Sequence, residues 1–252
     1  MMVLRPARFG MMCRLRGVAQ IVARPKKILR CKSVLKRLLG FFRLTPSPVI
    51  TPHARQVITH CQQRYEKISG FNLAKEARNI QQLHGYEYIY GEVDLTSFAW
   101  LLRHCYIDAD TVFYDLGSGV GKAVVCAAQL YDFKKVCGIE QLTLLYECAQ
   151  QVAQQLPPAC AQKIVFHQAD LLTVNFQDAD IVFINATAFL GDFWQALLGK
   201  LQQLKPGTSI ILVTKHLFPP EFEQIYTDYL PMSWGLARVG VYRCLGDLTE
   251  KP

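Results

Sequence analysis

From residue 111 onward the chain alternates between two periodicities, and this alternation limits the fold more than any other feature. Short β-favouring runs at 111–115 (TVFYD), 136–140 (VCGIE), 164–168 (IVFHQ), 180–185 (DIVFIN) and 208–214 (TSIILVT) are separated by helical stretches near 121–131, 142–155 and 192–204. Strands joined through helices run parallel, because a right-handed crossover returns the chain to the same edge. A parallel sheet built this way is covered on both faces. The predicted fold is therefore α/β, a Rossmann-like and mostly parallel sheet. A final pair of β-like runs around 236–244 lies too close to its predecessor for another crossover helix and is expected to add an antiparallel edge. Ligands of such sheets bind at the carboxyl ends of the strands.

Ahead of the sheet, residues 52–71 and 72–83 read as helices by apolar spacing, and 94–105 as a helix capped by Asp94 or Thr96. The expected organisation is a basic arm over 1–45, a helical lead-in over 53–110 and a Rossmann-like domain over 111–252, with the prolines at 46, 48 and 52 as the hinge. The 252 residues carry a formal net charge of +8, unevenly distributed. No Asp or Glu precedes Glu66, whereas 14 Lys and Arg do, and the rest has 14 basic and 20 acidic residues. In the arm, Val34, Leu35, Leu38, Leu39 and Phe42 share one helical face amid Lys36, Arg37 and Arg43, a pattern suited to nucleic acid, acidic lipid or an import receptor. A solvated tail and a mitochondrial presequence are equally compatible with this bias.

The nine cysteines are odd in number and never spaced Cys-x-x-Cys. Neither a disulfide framework nor a zinc cluster is expected, and a reducing compartment is. The six histidines show no metal-ligand spacing. No uncharged apolar run reaches eighteen residues, so no transmembrane segment is expected.

The chemistry is concentrated in DLGSGVGK, residues 115–122, at the corner between the first strand and the next helix. For a dinucleotide fingerprint the third glycine position falls on Lys122; for a triphosphate loop, Leu116 and Ala123 stand where glycine and a hydroxyl are needed. What remains is Asp115 followed by Gly117, Gly119 and Gly121, the pattern of an S-adenosylmethionine pocket. That ligand carries no phosphate. Bare glycines let the backbone approach its methionine and ribose parts, and Asp115 can attract its ammonium. Glu140, closing the second strand, is placed for the ribose hydroxyls as in dinucleotide folds. Asp170, after the third strand, is placed for the adenine amino group.

Four blocks then resemble one family: YGEVDLTSF (90–98), DLGSGVGKAVVCAA (115–128), GIE (138–140), and VFINATAF (182–189) followed by LKPGTSIILVTK (204–215). They resemble the disruptor of telomeric silencing family, histone lysine methyltransferases of the class I methyltransferase fold that lack a SET domain. The resemblance spans about residues 85 to 220. It implies that Tyr90, Gly91 and Glu92 form a loop over the cofactor, and that Asp115, Gly117, Glu140 and Asp170 bind it, beside Gly119, Gly121 and Lys122. It also implies that Asn185 sits beside the transferred methyl and that Phe189 walls the acceptor channel. The implied cofactor is S-adenosyl-L-methionine, and the implied partner is a protein substrate with an acceptor lysine.

The residue chemistry agrees with amine methylation. A lysine amine has a pKa of about 10.4 in water and must be bound neutral, in a desolvated slot, to present its lone pair. An Asn oxygen can accept an amine hydrogen without adding charge. Three departures from the family pattern stand out: Lys122 replaces an uncharged polar residue, Ala186 and Thr187 replace an Asn and an aromatic, and Tyr242 or Trp234 is left to serve for a later tyrosine. A nucleic-acid base as acceptor, and a cofactor-binding protein without turnover, stay open as alternatives. The family's flanking basic tract holds nucleosomal DNA, a role the arm could fill through phosphate contacts. Nuclear, cytoplasmic and mitochondrial locations all fit.

Overall fold

The computed structural model describes residues 48–246, and the basic arm expected over 1–45 lies outside them. Three helices lead in: α1 (Pro52–Tyr65), α2 (Gly70–Gln81) and α3 (Leu95–Leu102). The Thr51 hydroxyl caps α1 by accepting from the Ala54 amide at 3.1 Å, with Pro52 at the first position, where its missing N–H costs nothing. Of the two expected caps for α3, Asp94 is used, accepting from the Ser97 amide at 2.8 Å. The break between α1 and α2 falls at residues 66–69, a few residues earlier than apolar spacing suggests, because the Ser69 side chain accepts from the Asn72 amide and restarts the helix at Gly70.

The alternating half follows as β1 (Val112–Leu116), α4 (Lys122–Leu130), β2 (Lys135–Glu140), α5 (Thr143–Gln154), the short α6 (Pro158–Ala161), β3 (Ile164–Gln168), β4 (Ile181–Asn185), α7 (Gly191–Leu201) and β5 (Ser209–Val213). Two strands complete it, β6 (Phe222–Met232) and β7 (Gly235–Cys244). The sheet has seven strands in the order β3-β2-β1-β4-β5-β7-β6. The first five are parallel, and β7 runs antiparallel to both β5 and β6.

The antiparallel edge is longer than the runs around 236–244 indicate. β6 (FEQIYTDYLPM) lies outermost, so most of its positions are exposed or half-exposed and polar. An edge strand with one wet side and a proline near its end gives a weak β signal.

Every residue of β1 is buried, as a central parallel strand requires. Phe113 belongs to the core beneath the lead-in helices and α4, while Val112, Tyr114 and Leu116 belong to the core beneath α7. The lead-in helices pack into the core of one sheet face, with α1 against α4 and α2 against α5. The α3 helix also reaches the sheet edge, where Ser97 Oγ donates to the Pro231 carbonyl at 2.9 Å and Trp100 Nε1 to the Tyr226 hydroxyl at 3.0 Å.

The strand order reverses between β1 and β4, so the crossover connections diverge there and leave a crevice at the carboxyl ends of these strands. Phe98 of α3 pins the lead-in to that point, edge-on to Phe183 at 5.0 Å and to Phe113 at 6.0 Å between ring centroids. Replacing Phe98 with Ala is expected to cost about 3–5 kcal/mol through lost burial and the cavity left behind. Urea unfolding at constant m-value checks this; a loss below about 1 kcal/mol would show that α3 is not integral to the core.

Candidate active site

The crevice at the strand reversal opens into a cavity of about 300 Å³. The glycine corner forms its floor. After β1 the chain turns through Gly117 and Gly119 with φ of +83° and +56°, conformations that a side chain strongly disfavours. At Gly119 a Cβ would also lie 2.6 Å from the Tyr90 ring. The Gly117 and Ser118 amides donate to the Ile139 carbonyl at 3.0 and 2.9 Å, tying the corner to β2.

Two carboxylates stand behind that floor. Glu140 is 9% exposed and accepts from the Gly119 amide at 2.7 Å through Oε2 and from the Leu142 amide at 2.8 Å through Oε1. The Gln141 amide also bears on this carboxylate, which offers about four acceptor positions and still leaves room for a ligand hydroxyl. Burial pushes the Glu140 carboxyl up, and the backbone amides pull it partly back. Asp115 is 3% exposed, and no hydrogen-bond donor among the described residues meets its carboxylate. Burial first, and repulsion from Glu140 second, push it well above the usual carboxylate range. Ser118 Oγ is likewise buried without a partner among the described residues. Such groups are costly unless something bonds to them. Buried acids lining a pocket suit a ligand with an ammonium group and hydroxyls, so this set of acceptors fits an aminoacyl nucleoside.

A loop from the lead-in forms the opposite wall. The Tyr90 hydroxyl donates to Glu92 Oε1 at 2.9 Å, and Glu92 Oε2 pairs with Lys122 Nζ at 2.5 Å. Burial and the neighbouring Glu92 raise the Tyr90 hydroxyl far above its usual range, so it remains a donor. Lys122 sits 5.4 Å over the Tyr65 ring, in the first turn of α4. The loop is also tied to the β6–β7 turn, where Ser233 N donates to the Glu92 carbonyl at 3.2 Å. Asn185 holds it to β4, with Nδ2 donating to the Gly91 carbonyl at 3.1 Å.

Most of the sequence-predicted residues therefore meet in one place. Tyr90, Glu92, Asp115, Gly117, Gly119, Lys122, Glu140, Asn185 and Phe189 all line the cavity. Gly121 and Asp170 do not. Gly121 lies beneath the floor, where a Cβ would come 2.8 Å from the Phe166 ring. Asp170 stands beside the cavity between the lining residues Ala169 and Leu171, its carboxylate accepting from the Leu172 amide at 2.8 Å. Of the two candidate aromatics, Trp234 lines the mouth and is 41% exposed, whereas Tyr242 is buried, its hydroxyl 3.2 Å from His216 Nδ1. Lys215, just past β5, lies 5.7 Å over the Trp194 ring. Phe71, Tyr88, Ile89, Leu142 and Leu145 also line the cavity. Nothing in their local sequence marks them, since each reads as an ordinary helix or loop residue.

Among the described residues no group of His, Cys, Asp and Glu is arranged to hold a metal, the cysteines are free, and no helix is long and apolar enough to cross a membrane.

Comparison with known proteins gives this geometry a lineage. A similar curated relative is a histone-lysine N-methyltransferase, H3 lysine-79 specific, of Eremothecium gossypii, 27% identical over 157 residues, or 56% of this chain and 26% of that protein. The enzyme of the same description from Caenorhabditis elegans is 31% identical over 140 residues, covering 51% of this chain and 15% of that protein. The chain thus spans less than a third of the length of the curated relatives it matches. Among solved structures, an RNA methyltransferase from Salinibacter ruber in complex with S-adenosyl-L-homocysteine is similar, with TM-score 0.51 and 26% identity over 62% of this chain and 94% of that one. TrmN of Thermus thermophilus has TM-score 0.50 at 22% identity over 60% of this chain and 48% of that one, a likeness of fold alone. The family model described as "Histone methylation protein DOT1" matches residues 72–231, and the chain belongs to that family.

Proposed function

We propose that this protein transfers a methyl group from S-adenosyl-L-methionine to a lysine amine of a protein, with a histone as the favoured substrate. The observation that carries this reading is the meeting, in one cavity, of the unpartnered carboxylate of Asp115 with the strand-end amide of Asn185. One is suited to hold the cofactor's ammonium and the other to receive an amine. The cofactor, when bound, supplies an electrophilic methyl on a sulfonium.

The chain's own residues do the rest. Asp115 would bind the ammonium, Lys122 the α-carboxylate, and Glu140 the ribose hydroxyls. Asp170 would reach the adenine edge through a change of its present turn. Asn185 Oδ1 would accept an N–H of the incoming amine, and Phe189 and Trp234 would limit water around it, favouring the neutral amine, whose proton passes to bulk water on entry. The amine lone pair would form the new N–C bond as the methyl–sulfur bond breaks and the sulfur leaves as a neutral thioether. The Tyr90–Glu92–Lys122 group closes the methionine end. The known histone specificity of the relatives supports the choice of acceptor and a place on chromatin in the nucleus. The basic arm over 1–45 would add phosphate contacts to DNA. An amine on a nucleic-acid base is the second reading, supported by the likeness to the Salinibacter ruber RNA methyltransferase.

Two measurements test the reading. With tritiated cofactor, the wild type should label histone protein and not RNA, and Asn185→Ala should lose about 100-fold or more in kcat while its cofactor Kd changes by less than about threefold. Label on RNA would select the second reading. Undiminished cofactor binding with no transfer by the wild type would leave a binding protein.

The second test uses pH. A carboxyl whose folded pKa is raised binds protons more tightly in the folded than in the unfolded state, so the ligand-free protein loses stability as pH rises from about 4 toward that raised value. An ammonium ligand binds the ionised form, so its stabilising effect should grow as pH rises through the same window. The increase in Tm on adding cofactor should therefore climb with pH in the wild type and lose this climb in Asp115→Asn. Identical profiles would remove Asp115 from the ammonium site.

A further inference from the structure

One set of side chains at the acceptor end is not explained by cofactor binding. After β4 the chain makes a single 3-10 turn, Ala186–Ala188, which brings Thr187 back against the end of β5. The register pairs Asn185 with Val213, so the next residue of β5's exit, Thr214, lies alongside. The Thr187 hydroxyl is 2.9 Å from Asn185 Oδ1 and 2.8 Å from the Thr214 hydroxyl.

The direction of these bonds follows from the groups themselves. Asn185 Oδ1 can only accept, so the Thr187 hydroxyl donates to it. With that proton engaged, Thr187 can only accept from Thr214. At the other end Asn185 Nδ2 donates to the Gly91 carbonyl at 3.1 Å. Donation therefore runs from Thr214 through Thr187 and Asn185 to Gly91. A reversed amide would set Oδ1 against the Gly91 carbonyl, two acceptors face to face, so both ends demand the same orientation. In that orientation one lone pair on Oδ1 and one N–H on Nδ2 stay unused, on a side chain that lines the cavity.

Thr214 adds an independent sign. Its φ is +74°, in the left-handed region, where a β-branched residue is strained and glycine or asparagine is at ease. Strain of this kind persists where the surroundings fix it and gathers at functional sites. Glycine would relieve the strain but carries no donor, whereas the Thr214 hydroxyl supplies one to Thr187.

We propose that Thr187 and Thr214 are positioning residues that set the Asn185 amide for the amine acceptor. This rests on the reading that Asn185 meets that acceptor, and it is particular to this chain, because the resemblance expects an aromatic at position 187.

Thr187→Val removes the hydroxyl at nearly constant volume. Its kcat should fall about 10- to 100-fold with the cofactor KM within about twofold, and Thr187→Ser should recover most of the loss. Thr214→Gly should lower kcat while Tm holds or rises, a combination that a merely structural threonine would not give. Independently of turnover, the Asn185 side-chain NH₂ resonances of 15N-labelled protein, assigned with Asn185→Ala, should report faster amide rotation in Thr187→Val. Unchanged kcat in Thr187→Val beside a crippled Asn185→Ala would overturn the inference, and so would unchanged NH₂ resonances. If the wild type methylates no amine, the proposed function fails, and the NH₂ resonances still decide the role of Thr187.

Discussion

The Glu140 carboxylate holds the site together. One oxygen takes the Gly119 amide and the other the Leu142 amide, so a single buried side chain joins the glycine corner after β1 to the segment that begins α5. Without that link the corner would keep its bonds to the Ile139 carbonyl, its own Gly121-to-Ser118 turn bond, and the bond the Tyr65 hydroxyl donates to the Val120 carbonyl. The arrangement is costly by ordinary folding standards, because a second acid, Asp115, is buried beside it with no donor of its own. Large apolar cores on both faces of the sheet offset the cost. Conflicts between local stability and burial of this kind are expected where a protein binds a ligand.

The parts that were legible in the sequence are those governed by local pattern. Strand and helix periodicity gave the five parallel strands, and strand ends fixed Asp115, Glu140 and Asn185 at one rim. The glycine spacing indicated which ligand the corner can accept. What local pattern missed was set by tertiary context. β6 is an outer strand whose polar residues face water, so its alternation is faint. Asp170 sits at the expected strand end, but its carboxylate is engaged by its own turn, a choice no spacing rule encodes. Trp234 and Tyr242 were interchangeable as candidates until the hairpin geometry put one at the mouth and the other in the core. The Thr187 hydroxyl looked like a departure from a family pattern, and only its distances to Asn185 and Thr214 gave it a partner.

The wall opposite the glycine floor is built differently from the floor itself. Residues 88–93 are held by scattered polar links: Arg78 Nη1 to the Tyr88 carbonyl at 3.0 Å, Asn185 to Gly91, and Lys122 and Ser233 to Glu92. Tyr88, Tyr90 and Val93 also pack against the core, and Phe71 stands edge-on to Tyr90 at 5.1 Å between ring centroids, so apolar and polar contacts anchor the wall together.

The isolated bridge between Val93 and Met232, at the base of the β6–β7 turn, has a consequence for biosynthesis. The crevice takes walls from residue 71 and from residue 234, so its two sides are separated by most of the globule's length. Synthesis is vectorial, and the parallel strands through β5 can begin to collapse while the hairpin is still inside the ribosomal tunnel. A nascent chain at that stage carries the glycine corner and both acids, yet lacks Ser233 and Trp234 at the mouth. The wall is complete only once the hairpin has paired with the loop at Val93.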